Sequence, residues 1–89
     1  MKLFIVHAGY CDNEIGIYEL HTNFFVAAKS AGEVKKIIKE KDIFKKKNMH
    51  IDAVQEIDVV DGYKVTLVED QANMTTLTSY DYTQMKQIS

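Results

Sequence analysis

A chain of 89 residues, 46% hydrophobic and 27% charged, carries enough apolar material for one core and too little length for two. That composition excludes a disordered chain, and no apolar run approaches the roughly 18 residues of a membrane-spanning helix. The net charge is only −2, and the absence of arginine among eleven cationic side chains excludes a dedicated bidentate phosphate reader.

In chain order, residues 2–9 are apolar on both faces, with Leu3 and Ile5 on one side and Phe4, Val6 and Ala8 on the other. This pattern belongs to a strand in the middle of a sheet. Residues 10–16 are rich in turn formers and predict a loop. A second strand follows over residues 17–28, with Tyr18, Leu20, Phe24 and Val26 on one face and Glu19, His21 and Asn23 on the other. Phe25 breaks that alternation and predicts a bulge near Asn23.

Ser30 and Glu33 have the spacing of a capping box and open the one predicted helix. Val34, Ile37, Ile38 and Phe44 form its buried stripe, and the charged residues 45–48 close it. The next strand starts at Met49. Met49, Ile51, Ala53 and Ile57 alternate with His50, Asp52, Val54, Glu56 and Asp58. Asp61-Gly62 then marks a tight hairpin, because both turn positions take positive φ. Tyr63, Val65 and Leu67 continue the apolar face. The polar residues from Glu69 onward lose the pattern and leave strand, short helix and disorder open, with a strand expected over residues 74–82.

The fold class expected from this order is α+β, built as β-β-α-β-β. A right-handed crossover with the first strand central predicts one four-stranded antiparallel sheet of order 2-1-3-4, with a single helix on one face. Residues 1–70 would form the domain and residues 71–89 a tail. The single cysteine, Cys11, cannot close an internal disulfide, and the chain opens on a strand rather than a leader peptide. Both features predict a cytoplasmic protein.

The segments KLFIVHAGY, YELHTNFFVAA, EVKKIIK and HIDA…VDGY, in this order, resemble the small bacterial family catalogued as domain of unknown function 1543. The resemblance runs over about residues 2–69 and excludes the tail. Longer members carry two copies of this unit. The resemblance therefore implies, for a chain with one copy, that a second subunit supplies any partner half. It implies a fold and a family but no activity and no cofactor.

Candidate site residues are Glu19, His21, His50 and Asp52, all on the sheet face away from the helix. Imidazole beside carboxylate can bind a borderline metal such as zinc, or act as acid and base. In the order 2-1-3-4 the first strand separates the two pairs by about 10 Å, at about 4.8 Å per strand, so coordination by all four is expected to be strained. The plainer reading is a set of cross-strand hydrogen bonds on a solvated or interface face.

His7 reads as a hydrogen-bonded histidine at the core edge. Cys11 is disfavoured as a nucleophile, because Asp12 and Glu14 beside it oppose a thiolate. Lysines crowd residues 29–47, eight against three acids, while the rest of the chain has three against ten. Within that run Lys35, Lys36, Lys39 and Lys46 could touch a nucleic acid backbone, but a solvated helix face explains them better. No Walker loop, dinucleotide fingerprint or nucleophile elbow occurs.

The first functional expectation is a non-enzymatic binding or interaction module that self-associates as a homodimer and uses no cofactor. The second is a small-molecule or metal site around His21 and His50. The third is nucleic-acid contact through the lysine-rich helix.

Overall fold

The protein's structure, a computed structural model, describes residues 1–88. Strand β1 (Lys2–Tyr10) pairs with β2 (Leu20–Ala28) on one side and β3 (His50–Ile57) on the other, both antiparallel. The order β2-β1-β3 places the strand that is apolar on both faces at the centre, as expected. Two helices, α1 (Ala31–Lys39) and α2 (Asp42–Lys46), connect β2 to β3. A short hairpin, β4 (Val59–Val60) and β5 (Tyr63–Lys64), and a C-terminal helix, α3 (Tyr82–Gln87), complete the described elements. No helix among the described residues is long and apolar enough to cross a membrane.

The core fills one face of the sheet. Phe4, Val6 and Ala8 of β1 meet Val26 and Ala28 of β2, with Val34 and Ile38 of α1 and Phe44 of α2 closing over them, all at most 8% exposed. Burial on this scale stabilises by about 1.5–3 kcal/mol for each large side chain, so this layer is the main source of folding free energy. Ser30 Oγ accepts the Glu33 backbone N–H at 3.2 Å, which fixes where α1 starts.

The single predicted helix is in fact two. In one continuous helix of 3.6 residues per turn, Phe44 would lie about 20° from Ile37 but about 120° from Ile38, at the edge of the buried stripe rather than in line with its most buried residue. Glu40 ends α1 and Lys41 takes an extended conformation (ψ 133°) before α2 begins. That break re-aims Phe44 into the core.

The predicted four-stranded sheet is also corrected: the sheet has three strands, and the hairpin forms a separate two-stranded one. The Asp61-Gly62 turn is as expected, with φ of 52° and 84°. Only Val59–Lys64 and Val60–Tyr63 pair, extended by one bond from Val65 N–H to the Asp58 carbonyl. Beyond Val65 the chain does not return along β3. It crosses the sheet end instead: Val65 lines a groove with Lys2 and Leu3, and Leu67 lines another with Met1 and Ala27. Leu67 reaches apolar surface there that a fourth strand beside β3 would not have given it.

Three local expectations also change. Strand β2 starts at Leu20, leaving Tyr18 81% exposed rather than in the core. Its register with β1 runs without interruption, so Phe25 lies on the outer face and no bulge occurs near Asn23. The bulge is in β3, where His7 pairs with Ala53 but Ala8 pairs with Ile51, which leaves Asp52 as the extra residue. In the tail, residues 75–81 have no regular structure where a strand was expected. The tail ends in α3, whose Asp81 and Gln84 form a reciprocal capping box.

Candidate functional site

Helices cover one face of the sheet, and the other is open around its histidines, while its Leu3 and Phe25 end forms a groove with Met74 and Leu77 of the tail. Cross-strand partners share a face, so the register gives its contents: Leu3, Ile5, His7 and Gly9 from β1, His21, Asn23, Phe25 and Ala27 from β2, and His50, Ala53, Gln55 and Ile57 from β3. The bulge shapes the β3 contribution. Simple alternation from His50 would have put Val54 and Glu56 outside and Ala53 inside. The extra residue at Asp52 reverses the pattern after it, so Ile51 and Val54 both pack on the core while Asp52 joins His50 above the sheet.

Gly9 is paired with His21 on one side and His50 on the other. It is the point where the two halves of the cluster meet. A Cβ built on Gly9 would run into the Glu19 carboxylate and lie 2.7 Å from His50 Nε2 and 2.8 Å from Asp52 Oδ2. Without that carbon, side chains from the two outer strands lean over β1 and touch. The expectation that β1 would hold Glu19 and His21 apart from His50 and Asp52 is therefore overturned. The strand spacing separates backbones, but over a glycine it does not separate side-chain ends.

The contacts are close. His50 Nε2 lies 2.5 Å from Glu19 Oε1 and 3.0 Å from Asp52 Oδ1. His21 Nε2 lies 3.1 Å from Asp52 Oδ2 and 3.7 Å from Glu19 Oε2. Each carboxylate thus turns one oxygen to one imidazole and the other oxygen to the second. All four side chains remain between 31% and 55% exposed, so solvent or a ligand reaches them.

His7, which sequence reasoning set apart at the core edge, belongs beside this cluster, with Asn23 as its partner. The His7 ring stacks on His21 with centroids 4.8 Å apart and planes 7° from parallel. Its Nδ1 lies 2.8 Å from Asn23 Oδ1, which can only accept, so Nδ1–H donates and the neutral ring keeps its lone pair on Nε2. The available signal was Gly9 itself. A glycine inside a central strand often marks close approach of other groups, and His7 is two residues before it on the same face.

The remaining candidates lie elsewhere. Lys35, Lys36 and Lys39 are exposed on α1 and Lys46 on α2, in the layer on the opposite side of the sheet. Cys11 is exposed in the loop between β1 and β2. That loop is tied down by Asp12, whose carboxylate accepts from Lys47 Nζ and from the Glu14 backbone N–H, each at 3.1 Å. The Lys47 ammonium and the Glu14 N–H hold the Asp12 carboxyl below its ordinary value, and Asp12 in turn raises Lys47.

Chemically, the cluster is a mixed imidazole and carboxylate donor set, the kind that suits zinc, iron or manganese rather than a soft, thiolate-bound metal. With metal–ligand bonds of about 2.0–2.1 Å, two donors on one ion sit about 2.9 Å apart at right angles and about 3.4 Å apart at the tetrahedral angle. The 3.0 and 3.1 Å separations fall in that range; the 2.5 Å His50–Glu19 contact is shorter and would open to admit an ion.

The family model described as Domain of Unknown Function (DUF1543) matches residues 16–67, more than half of the chain. Glu19, His21, His50 and Asp52 fall inside that span, and His7 and Gly9 precede it. No curated protein and no solved structure matches the chain.

Proposed function

The chain belongs to this family of unknown function, and from that premise we propose that it is a metal-binding domain holding a divalent first-row transition ion at Glu19, His21, His50 and Asp52. One observation carries the reading. The Nε2 atoms of two histidines on strands that do not touch converge on the same two carboxylates above a residue with no side chain. A solvated face would not need a glycine at position 9 of its central strand, whereas a cradle for an ion does. Thermal unfolding tests it, using metal-stripped protein with added zinc, manganese, cobalt or ferrous ion. At a hundredfold excess over Kd the linkage contribution is about 2.7 kcal/mol, a rise in Tm on the order of 10 °C for a domain of this size. That rise is expected in the native protein and should be clearly smaller in His50→Gln. No rise with any of these ions would overturn the reading.

Self-association is a second reading, favoured by a separate observation. Phe25 is 46% exposed beside half-buried Leu3 and Ile5 on the open face, and β2 and β3 each have a free outer edge among the described residues. A second copy seated there would cover the apolar part of that face. Sedimentation equilibrium is expected to show a dimer at tens of micromolar, and a monomer at several hundred micromolar would exclude it.

A further inference from the structure

The donor atoms of the open face fall into two groups of three rather than one group of four. Glu19, His50 and Asp52 each offer an atom within 4.8 Å of the others, and so do His7, His21 and Asp52. Asp52 belongs to both. Its Oδ1 faces His50 and its Oδ2 faces His21, so its two oxygens already point toward different imidazoles.

We propose that the cluster is a dinuclear site, with one divalent ion on Glu19, His50 and Asp52, a second on His7, His21 and Asp52, and the Asp52 carboxylate bridging them. The inference rests on the metal-binding reading above and specifies how many ions that site holds. Three features support two ions over one. Both carboxylates turn their oxygens to separate imidazoles, but only Asp52 belongs to both groups, which places it as the bridge between paired ions, about 3.5–4 Å apart in two-metal sites. His7 has the outer partner that metal-bound histidines generally have: its Nδ1–H donates to a side-chain carbonyl, that of Asn23, which orients the ring and leaves the other nitrogen free. The bulge at Asp52 lifts that residue out of the ladder, where a regular strand would have used its place for pairing.

The His7 and His21 rings lie in nearly parallel planes, so their in-plane lone pairs cannot both meet at one ion. Occupancy of the second position therefore requires one ring to turn about its soft Cβ–Cγ torsion, and loading should open the stack.

Titration calorimetry with zinc, together with metal analysis after dialysis, gives the count. Two equivalents are expected for the native chain, one for His7→Gln and one for His50→Gln. Asp52→Asn should weaken both positions by at least tenfold. Circular dichroism of the metal-free variants separates loss of a ligand from loss of the fold. Manganese electron paramagnetic resonance on the native chain needs no variant: a bridged pair gives a broadened, exchange-coupled spectrum in place of the hyperfine pattern of an isolated ion. One equivalent in the native chain, unchanged by His7→Gln, would overturn the dinuclear proposal and leave the single-ion reading standing. No bound metal would overturn both.

Discussion

Gly9 and His50 are cross-strand partners, and His50 Nε2 lies only 2.7 Å from the place where a side chain on Gly9 would begin. The gap left by one missing carbon is the floor of the site. Gly9 does not have a positive φ, so alanine is compatible with its backbone.

Gly9→Ala therefore separates site from fold. The new methyl would displace the ends of the Glu19, His50 and Asp52 side chains, which are partly exposed and can swing outward. Alanine also lowers the entropy of the unfolded chain, worth about 0.4–1 kcal/mol where no strain opposes it. Urea unfolding should show stability within about 1 kcal/mol of the native protein. Calorimetry on the same sample should show zinc affinity reduced by at least tenfold. Unchanged affinity would mean that the cradle does not need the glycine.

On the other face, Ile38 is fully buried between α1 and the sheet. Ile38→Ala should cost about 2–5 kcal/mol, measured as a shift in the urea midpoint without change of slope. In a domain with so small a core this is a large part of the total stability. Metal affinity of the fraction that remains folded should be unaffected, since no atom of Ile38 reaches the open face.

At the start of α1, Ser30→Ala removes the hydroxyl that caps the Glu33 backbone N–H. A loss of about 0.5–2 kcal/mol is expected, and Ser30→Asp should restore most of it. Failure of aspartate to rescue would show that the serine matters for something other than capping.

The Asp12–Lys47 tether predicts a pH dependence with two limits. The carboxyl of Asp12 titrates lower in the folded protein than its ordinary 3.8, so its contribution is present above that pH and is lost as pH falls through the lowered value. Lys47 titrates higher than 10.5, so its contribution is complete below that pH and disappears as pH rises through the raised value. Between these limits the loop should stay anchored. Amide exchange at residues 12–16 is expected to be slower in the native protein than in Lys47→Met from about pH 4 upward, with the difference vanishing in stronger acid. A difference that persisted at the acid end would rule out the ion pair as its source.

Much of the fold was legible because it is written in alternation. The doubly apolar β1 had to be central, the crossover through the helix set β2 and β3 on either side of it, and Asp61-Gly62 had to turn. The fourth strand was not legible. Alternation of Tyr63, Val65 and Leu67 says which side chains share a face, not which strand they lie beside, and Leu67 found its apolar contact across the sheet end. The break between α1 and α2 could be read only by asking where Phe44 points, six residues beyond Ile38. For the site, the four residue types could be named from the sequence, but their distance apart could not. That distance depends on Gly9 and on the bulge at Asp52, and a bulge leaves no mark in composition. His7 was passed over for a related reason, since the apolar residues around it made it look like part of the core edge.

β1 carries two interleaved messages. Its even-numbered residues from Phe4 to Ala8 hold the helices, and the odd-numbered His7 and Gly9 belong to the cluster. A slip of one residue in its pairing would turn imidazole into the hydrophobic layer and phenylalanine into solvent at the same moment. Folding and binding would then fail together, so a register error in this strand cannot produce a well-packed protein with a broken site. Selection for either property guards the register of both.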